Sequence, residues 1–291
     1  MVKLITSPRS QREAEPSIYN KHFDVYHDLH SHEIRLARLP PGKWSDGIQC
    51  QVKHAYLANQ PVYKAVSCAW GSPRATLPIL VNGFEHQVTV NLESALRRLR
   101  KVDACMDICV DSLSINQSDI SEKTERVRLM HDIYSGAKEV IVCLGELSPH
   151  YFTASGSPMS ASTTIFQSSD EDHAKLALFQ SCCPGKRRNG KRIRIDLAVE
   201  TFCILRTLAE EPASNKLSGF DVNSESFIEH RYQKKLFEGL RQMMRCWRWK
   251  RTWVIQEMVV PKKVTMVYGA AVAPWEMFVE AANWESRNQS S

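Results

Sequence analysis

Three short segments carry polar and aromatic side chains where a plain hydrophobic core would carry neither. They are Ser67-Cys-Ala-Trp-Gly71, Asp111-Ser-Leu-Ser-Ile-Asn-Gln117 and Arg251-Thr-Trp-Val-Ile-Gln-Glu257. Among the groups they offer are the Ser67 hydroxyl, the Asp111 and Glu257 carboxylates, the Asn116 and Gln117 amides, and the Trp70 and Trp253 indoles. Such a mixture suits recognition of a small polar ligand. Each residue also has a plainer reading. Trp70 and Trp253 fit as core or rim aromatics, because an indole buries a large area. Asp111, Asn116 and Gln117 fit as helix caps and loop braces. Glu257 fits as a solvated carboxylate on a helix surface.

The surrounding patterns predict where these segments sit. Tyr63 to Gly71 is short, largely apolar and closed by glycine, as in a buried central strand. Met106 to Asp111 reads as a second buried strand and Val140 to Leu144 as a third. Two of the three polar segments therefore lie just past strand ends, where open parallel sheets bind ligands. His32 to Leu39 alternates like an edge strand and Gln49 to Ala55 like its companion. Ile79 to Phe84 carries Asn82-Gly83, a two-residue hairpin signal, with Gln87 to Val90 returning. Asn91 is placed to cap a helix running through Leu99. Ser112 to Asp119 reads as a loop and Ile120 to Ser135 as one helix, with Val127, Met130, Ile133 and Tyr134 on its apolar face. Strand, helix, strand in this order favours a parallel crossover. Further on, Ile195 to Glu210 reads as a helix. A second helix starts near Glu229, with Leu236, Leu240, Met243 and Met244 on one face. Lys263 to Tyr268 is a fourth buried strand, and Trp275 to Trp284 a closing helix.

Composition narrows the class. At 291 residues, with 43% apolar and 24% charged residues, the chain is globular in type. No apolar run reaches the roughly 18–20 residues of a membrane helix. The nine cysteines are scattered, without CxxC pairs, as in a reduced cytosolic protein. Cys182 and Cys183 adjoin, but no second pair stands at zinc-finger spacing, so no metal is expected. The polar N-terminus lacks the apolar stretch of a signal peptide. The net charge of +6 is mild, and the run 186–194 alone holds six basic residues. That run reads as a solvated loop, with nuclear import as the sharper alternative. It lacks interleaved aromatics, so nucleic acid is not an expected partner.

Taken together, six blocks in order resemble the HET domain, the fungal heterokaryon-incompatibility module. The family pattern runs approximately Y-x-A-L-S-Y-x-W-G, N-L-x-x-A-L-x-x-L-R, W-x-D-A-x-C-I-N-Q-x-D-x-x-E-R, a Q-V-x-x-M-x-x-I-Y helix, V-x-x-W-L-G and R-x-W-x-x-Q-E. The chain supplies Tyr63 to Gly71, Asn91 to Arg100, Val110 to Asp119, Arg126 to Tyr134, Val142 to Gly145 and Arg251 to Glu257. It departs at Cys109 and Cys143, where the family has Trp, at Ser114 (usually Cys) and at Arg126 (usually Gln).

HET domains in turn resemble TIR domains, whose enzymatic members cleave NAD using a glutamate in a W-C-x-x-E block. Trp253 to Glu257 has that spacing, with Val254 for Cys. At i and i+4 on a helix, ring and carboxylate can address one ligand. The resemblance implies an α/β fold: a TIR- or flavodoxin-like, mainly parallel sheet flanked by helices, with N-terminal β-hairpin additions. It implies an effector of non-self recognition and programmed cell death, acting by hydrolysis of the nicotinamide–ribose bond, with NAD as substrate and no bound cofactor. Glu257 would be catalytic, with Ser67, Trp70, Gly71, Asp111, Asn116, Gln117 and Trp253 around the nucleotide. The alternative is a non-catalytic, self-assembling signalling module.

The expected organisation is a lead-in at 1–31 and one domain at 32–285. A long, partly disordered insertion interrupts that domain at about 148–228, and a tail follows at 286–291. With the chain ending soon after the domain, regulation is expected from self-association or an upstream regulatory protein. The expected location is the cytoplasm, or the nucleus by way of 186–194.

Overall fold

The computed structural model describes residues 26–145, 164–165, 187–188, 191–192, 197–210, 239–246, 249 and 254–283. The expectations for the lead-in before residue 26, for most of the insertion, for the start of the helix near Glu229, for Arg251 and Trp253, and for the tail lie outside those residues.

Short runs rich in Val, Ile and Cys build the centre of a mixed sheet. Strands β3 (Lys64–Cys68), β6 (Met106–Val110), β7 (Glu139–Cys143) and β9 (Val264–Tyr268) are parallel neighbours in the spatial order β6-β3-β7-β9. Alternate residues of these strands feed two cores. Ala65, Val140, Val142 and Met266 pack on one face, and Val66, Cys68, Ile141 and Cys143 on the other. Burial on both faces explains the near-continuous apolar runs. Helix α1 (Val90–Leu99) contributes Leu92 and Leu96 to the second core. Helices α4 (Met130–Gly136), α5 (Leu197–Glu210) and α7 (Trp275–Ala282) contribute Ile133, Phe202 and Phe278 to the first. Phe202 meets Phe278 edge to face, at 5.3 Å between ring centroids.

The flanks are largely antiparallel. Strands β1 (Glu33–Leu39) and β2 (Gln49–Tyr56) pair antiparallel, as the expected N-terminal addition, and β1 pairs antiparallel with β6. Beyond β2 lies the hairpin of β4 (Thr76–Val81) and β5 (Phe84–Thr89). Its turn residues Asn82 and Gly83 both have positive φ, 53° and 86°, the conformation of a two-residue hairpin loop. At the other side, β10 (Ala271–Pro274) pairs antiparallel with β9 and parallel with the short β8 (Thr164–Ile165). The expectation of a mainly parallel sheet thus holds for the central four strands and not for the flanks.

Several local expectations change. Strand β1 was expected at an edge but is paired on both sides. Its charged residues mimic a solvent face yet find partners inside. Arg35, 1% exposed, holds Glu122 through both terminal nitrogens at 2.5 and 3.2 Å. The Glu33 carboxylate accepts from the His30 N–H and contacts His54. The single helix expected at Ile120 to Ser135 is two, α3 (Ile120–Arg128) and α4, broken at Leu129. There the N–H turns back to Arg126 O at 3.0 Å. Arg126 is thereby buried, its guanidinium donating to the Glu33 and His30 carbonyls. The loop after β6 opens with a helical turn, α2 (Asp111–Ser114). Helix α1 is capped by Thr89, which accepts from the Leu92 N–H, and not by Asn91. Met244 is exposed while Met243 is buried. Inside the basic run, Arg187–Arg188 pairs antiparallel with Lys191–Arg192.

Candidate functional site

The site forms where β3 and β6 end and α4 crosses them. Ser67, one residue before the end of β3, donates through Oγ to Glu257 Oε2 at 2.5 Å. Glu257 lies on the short helix α6 (Val254–Val259), which packs against α4. From α4, the Tyr134 hydroxyl donates to Glu257 Oε1 at 3.3 Å. The carboxylate is thus gripped on both oxygens, and the residue is only 2% exposed. A glutamate at such burial is exceptional unless it is hydrogen-bonded.

Above it opens a cleft of about 210 Å³, whose walls include Trp70, Asp111, Gln117, Lys123, Tyr134 and Glu257. Asp111 begins α2, directly after β6, and accepts the Trp70 indole N–H at 2.8 Å through Oδ2. Its Oδ1 accepts the Ser112 N–H. Gln117 Nε2 donates to the Asp111 carbonyl at 2.8 Å, folding the loop back over the turn. Trp70 is 42% exposed, so its ring stands at the mouth rather than in the core. The Cys109 thiol below Asp111 is pushed up to about 12, mainly by burial. It stays protonated at neutral pH and is not a nucleophile.

Of the residues singled out in the sequence, Ser67, Trp70, Asp111, Gln117 and Glu257 come together here. Gly71 and Asn116 do not line this cleft. Gly71 faces a second cleft of about 340 Å³. At φ 73°, with the Asn91 side chain 2.8 Å from where a Cβ would stand, only glycine fits there without strain. Asn91 braces this turn by donating to the Ala69 carbonyl at 3.1 Å. Asn116 Oδ1 accepts from the Ser118 N–H and hydroxyl, a local loop brace. Trp253 lies outside the described residues.

Sequence reasoning missed Tyr134 and Lys123, reading the first as core and passing over the second. The signal was present: Lys123, Val127, Met130 and Tyr134 follow a helical period, and two of the four carry polar ends. All four line the cleft. No group of three or more His, Cys, Asp or Glu among the described residues is placed to hold a metal ion. Nor does any helix among them have the length and apolarity to cross a membrane.

The molecule is an α/β domain with a largely apolar cleft at its strand ends, whose wall carries a few polar groups and the buried Glu257 carboxylate. Residues 63–257 match the heterokaryon incompatibility protein (HET) family, and the chain belongs to it. Over 129 residues it is 34% identical to "Heterokaryon incompatibility protein 6, OR allele" of Neurospora crassa. That alignment covers 40% of this chain and 19% of the relative, so the match spans a minor part of the longer protein. No solved structure matches the chain.

Proposed function

We propose that this chain is an effector domain of heterokaryon incompatibility, triggering programmed cell death in fungal non-self recognition by hydrolysing NAD. The observation that carries the reading is the Glu257 carboxylate, held by Ser67 and Tyr134 in the wall of an open cleft at the ends of parallel strands. The order of the central strands supports a TIR- or flavodoxin-like reading. Numbered by their own sequence order they run 2-1-3-4, the flavodoxin-like order, whose reversal falls here between β3 and β7, at the β3 end that also carries Ser67.

In the proposed reaction the bond between ribose C1′ and the pyridinium nitrogen breaks, its electron pair passing to nitrogen so that nicotinamide leaves neutral. Positive charge develops on the ribose. Glu257 opposes that charge and orients the ribose hydroxyls, as carboxylates do in glycoside hydrolysis. Water adds at C1′ and loses a proton, giving ADP-ribose. Trp70 and Gln117 line the entry for the nicotinamide riboside end. A cleft of about 210 Å³ is smaller than the ~300–1,000 Å³ usual for drug-sized ligands, so the adenylate end extends out past Trp70 toward Gly71. NAD is substrate, and no bound cofactor is invoked. Assembly with a second copy or an upstream regulator, in the cytoplasm or the nucleus, completes the proposal.

A second reading has its own observation. A carboxylate that is 2% exposed and gripped on both oxygens also suits an anchor that fixes α6 in a non-catalytic, self-assembling module. The test incubates the purified chain, concentrated or tethered to force assembly, with NAD. Equal nicotinamide release by wild type and Glu257→Ala removes the catalytic assignment. Lost toxicity in a fungal host with an unchanged melting temperature removes the anchor.

A further inference from the structure

The second cleft differs in chemistry from the first. Cys68 and Cys143, the last residues of β3 and β7, are register partners on adjacent parallel strands, and both face the same core. Neighbouring strands lie ~4.8 Å apart, so the two thiols stand side by side. Cys246, half-buried, donates its thiol to the Leu144 carbonyl at 3.2 Å, one residue beyond Cys143. All three line one cavity of about 340 Å³, with Gly71, Asn91 and Gly145 completing much of its wall.

We propose that Cys68, Cys143 and Cys246 form an oxidant-responsive thiol site, in which a peroxide oxidises Cys246 and the product closes to a Cys143–Cys246 disulfide. Two features carry this: the shared cavity wall and the difference in exposure among the three thiols. Cys246 is the accessible member, while Cys68 and Cys143 are buried behind it. An accessible thiol poised beside a resolving thiol is the usual arrangement of a redox-sensing cysteine.

The chemistry balances. The Cys246 thiolate attacks one peroxide oxygen and the O–O bond breaks. This leaves Cys246 as sulfenic acid and the second oxygen as hydroxide, which takes the thiol proton and becomes water. The Cys143 thiolate then attacks the Cys246 sulfur. The S–S bond forms as the S–O bond breaks, and a second water leaves. Two thiols lose two electrons and one peroxide gains them. Because Ser67 immediately precedes Cys68, the thiol site and the Glu257 carboxylate share the end of β3. The inference rests on the thiols alone and stands or falls apart from NAD chemistry.

The test treats the full, reduced chain with one equivalent of hydrogen peroxide and maps cross-linked peptides by mass spectrometry. Wild type is expected to yield the Cys143–Cys246 peptide. Cys246→Ser should lose that cross-link and leave Cys143 reduced. Cys143→Ser should trap Cys246 as sulfenic acid, captured by dimedone. Exposed Cys105 is the internal reference for an ordinary surface thiol. Dimedone labelling no faster at Cys246 than at Cys105, with no Cys143–Cys246 peptide in wild type, overturns the proposal. So does a Cys68–Cys143 cross-link that forms with Cys246 untouched. The wild-type map decides the matter even if a serine variant fails to fold.

Discussion

Ser67 Oγ lies 2.5 Å from Glu257 Oε2, a hydrogen bond that joins residues 190 positions apart in the chain. It ties the first block of the family pattern to the last. The match from residue 63 to residue 257 therefore begins and ends on elements that meet at one site, the end of β3 and helix α6.

That bond predicts non-additive stability. Ser67→Ala leaves a buried carboxylate short of a donor, and Glu257→Gln weakens the acceptor. Residues in direct contact couple by roughly 0.5–3 kcal/mol. Denaturant unfolding of the two single variants and the double variant should show a double loss smaller than the sum. Strict additivity would mean the contact carries no energy.

The Arg35–Glu122 pair predicts a larger effect. Glu122→Ala strands a guanidinium that is only 1% exposed, and breaking a buried pair costs about 3–5 kcal/mol. Replacing both residues together, as Arg35→Met with Glu122→Leu, should recover part of that loss, the rest reflecting the Asn116 N–H and the Ser114 and His27 carbonyls left without their partners. The measurement is the urea midpoint of the three variants against wild type.

This pair also marks where sequence reading stopped. Alternation and β-branching located β3, β6, β7 and β9, because strands buried on both faces are apolar throughout. They could not show that Glu33 and Arg35 turn inward, since their hydrogen-bonding partners, among them Glu122 and His54, come from other elements. Hence β1 looked like an edge. Ser67 and Asp111 stood out as candidate site residues because they are polar at the ends of apolar strands, and Glu257 through the resemblance carried by the Trp253 to Glu257 spacing. Tyr134 was not, because a tyrosine in an apolar stripe reads as core until the carboxylate it meets is known. Asn91 looked like a cap because its position before an apolar helix fits one. Only the fold reveals that Thr89 caps the helix and that Asn91 braces the Gly71 turn.

Acid should act through Glu139. Burial alone would raise its carboxyl, but hydrogen bonds from Lys64 and Thr265, with the Lys64 and Lys263 charges, hold it below its ordinary value of 4.5. A lowered carboxyl contributes stability that is present above pH 4.5 and is lost as pH falls through the folded value. Glu139→Gln should therefore lower the melting temperature at pH 7. The gap from wild type should shrink as pH falls below 4.5. A constant gap across that range would contradict the assignment.

Trp70 predicts a split between binding and stability. Its indole donates to Asp111 at 2.8 Å but sits at the cleft mouth. Trp70→Phe keeps a ring and removes the donor. Unfolding free energy should move by no more than about 0.5 kcal/mol, as for surface changes. NAD affinity, read by calorimetry, should fall. An equal fall in both would return Trp70 to a purely structural role.

The most direct test is nicotinamide release from NAD by the tethered chain, comparing wild type with Glu257→Gln. This substitution preserves side-chain size, exchanges one of the two accepting oxygens for a donor, and removes the charge that opposes the developing cation. The account predicts turnover by wild type, and loss of turnover in a variant that stays folded, its stability lowered only by the weakened Ser67 contact. Undiminished release by a folded Glu257→Gln variant would contradict it.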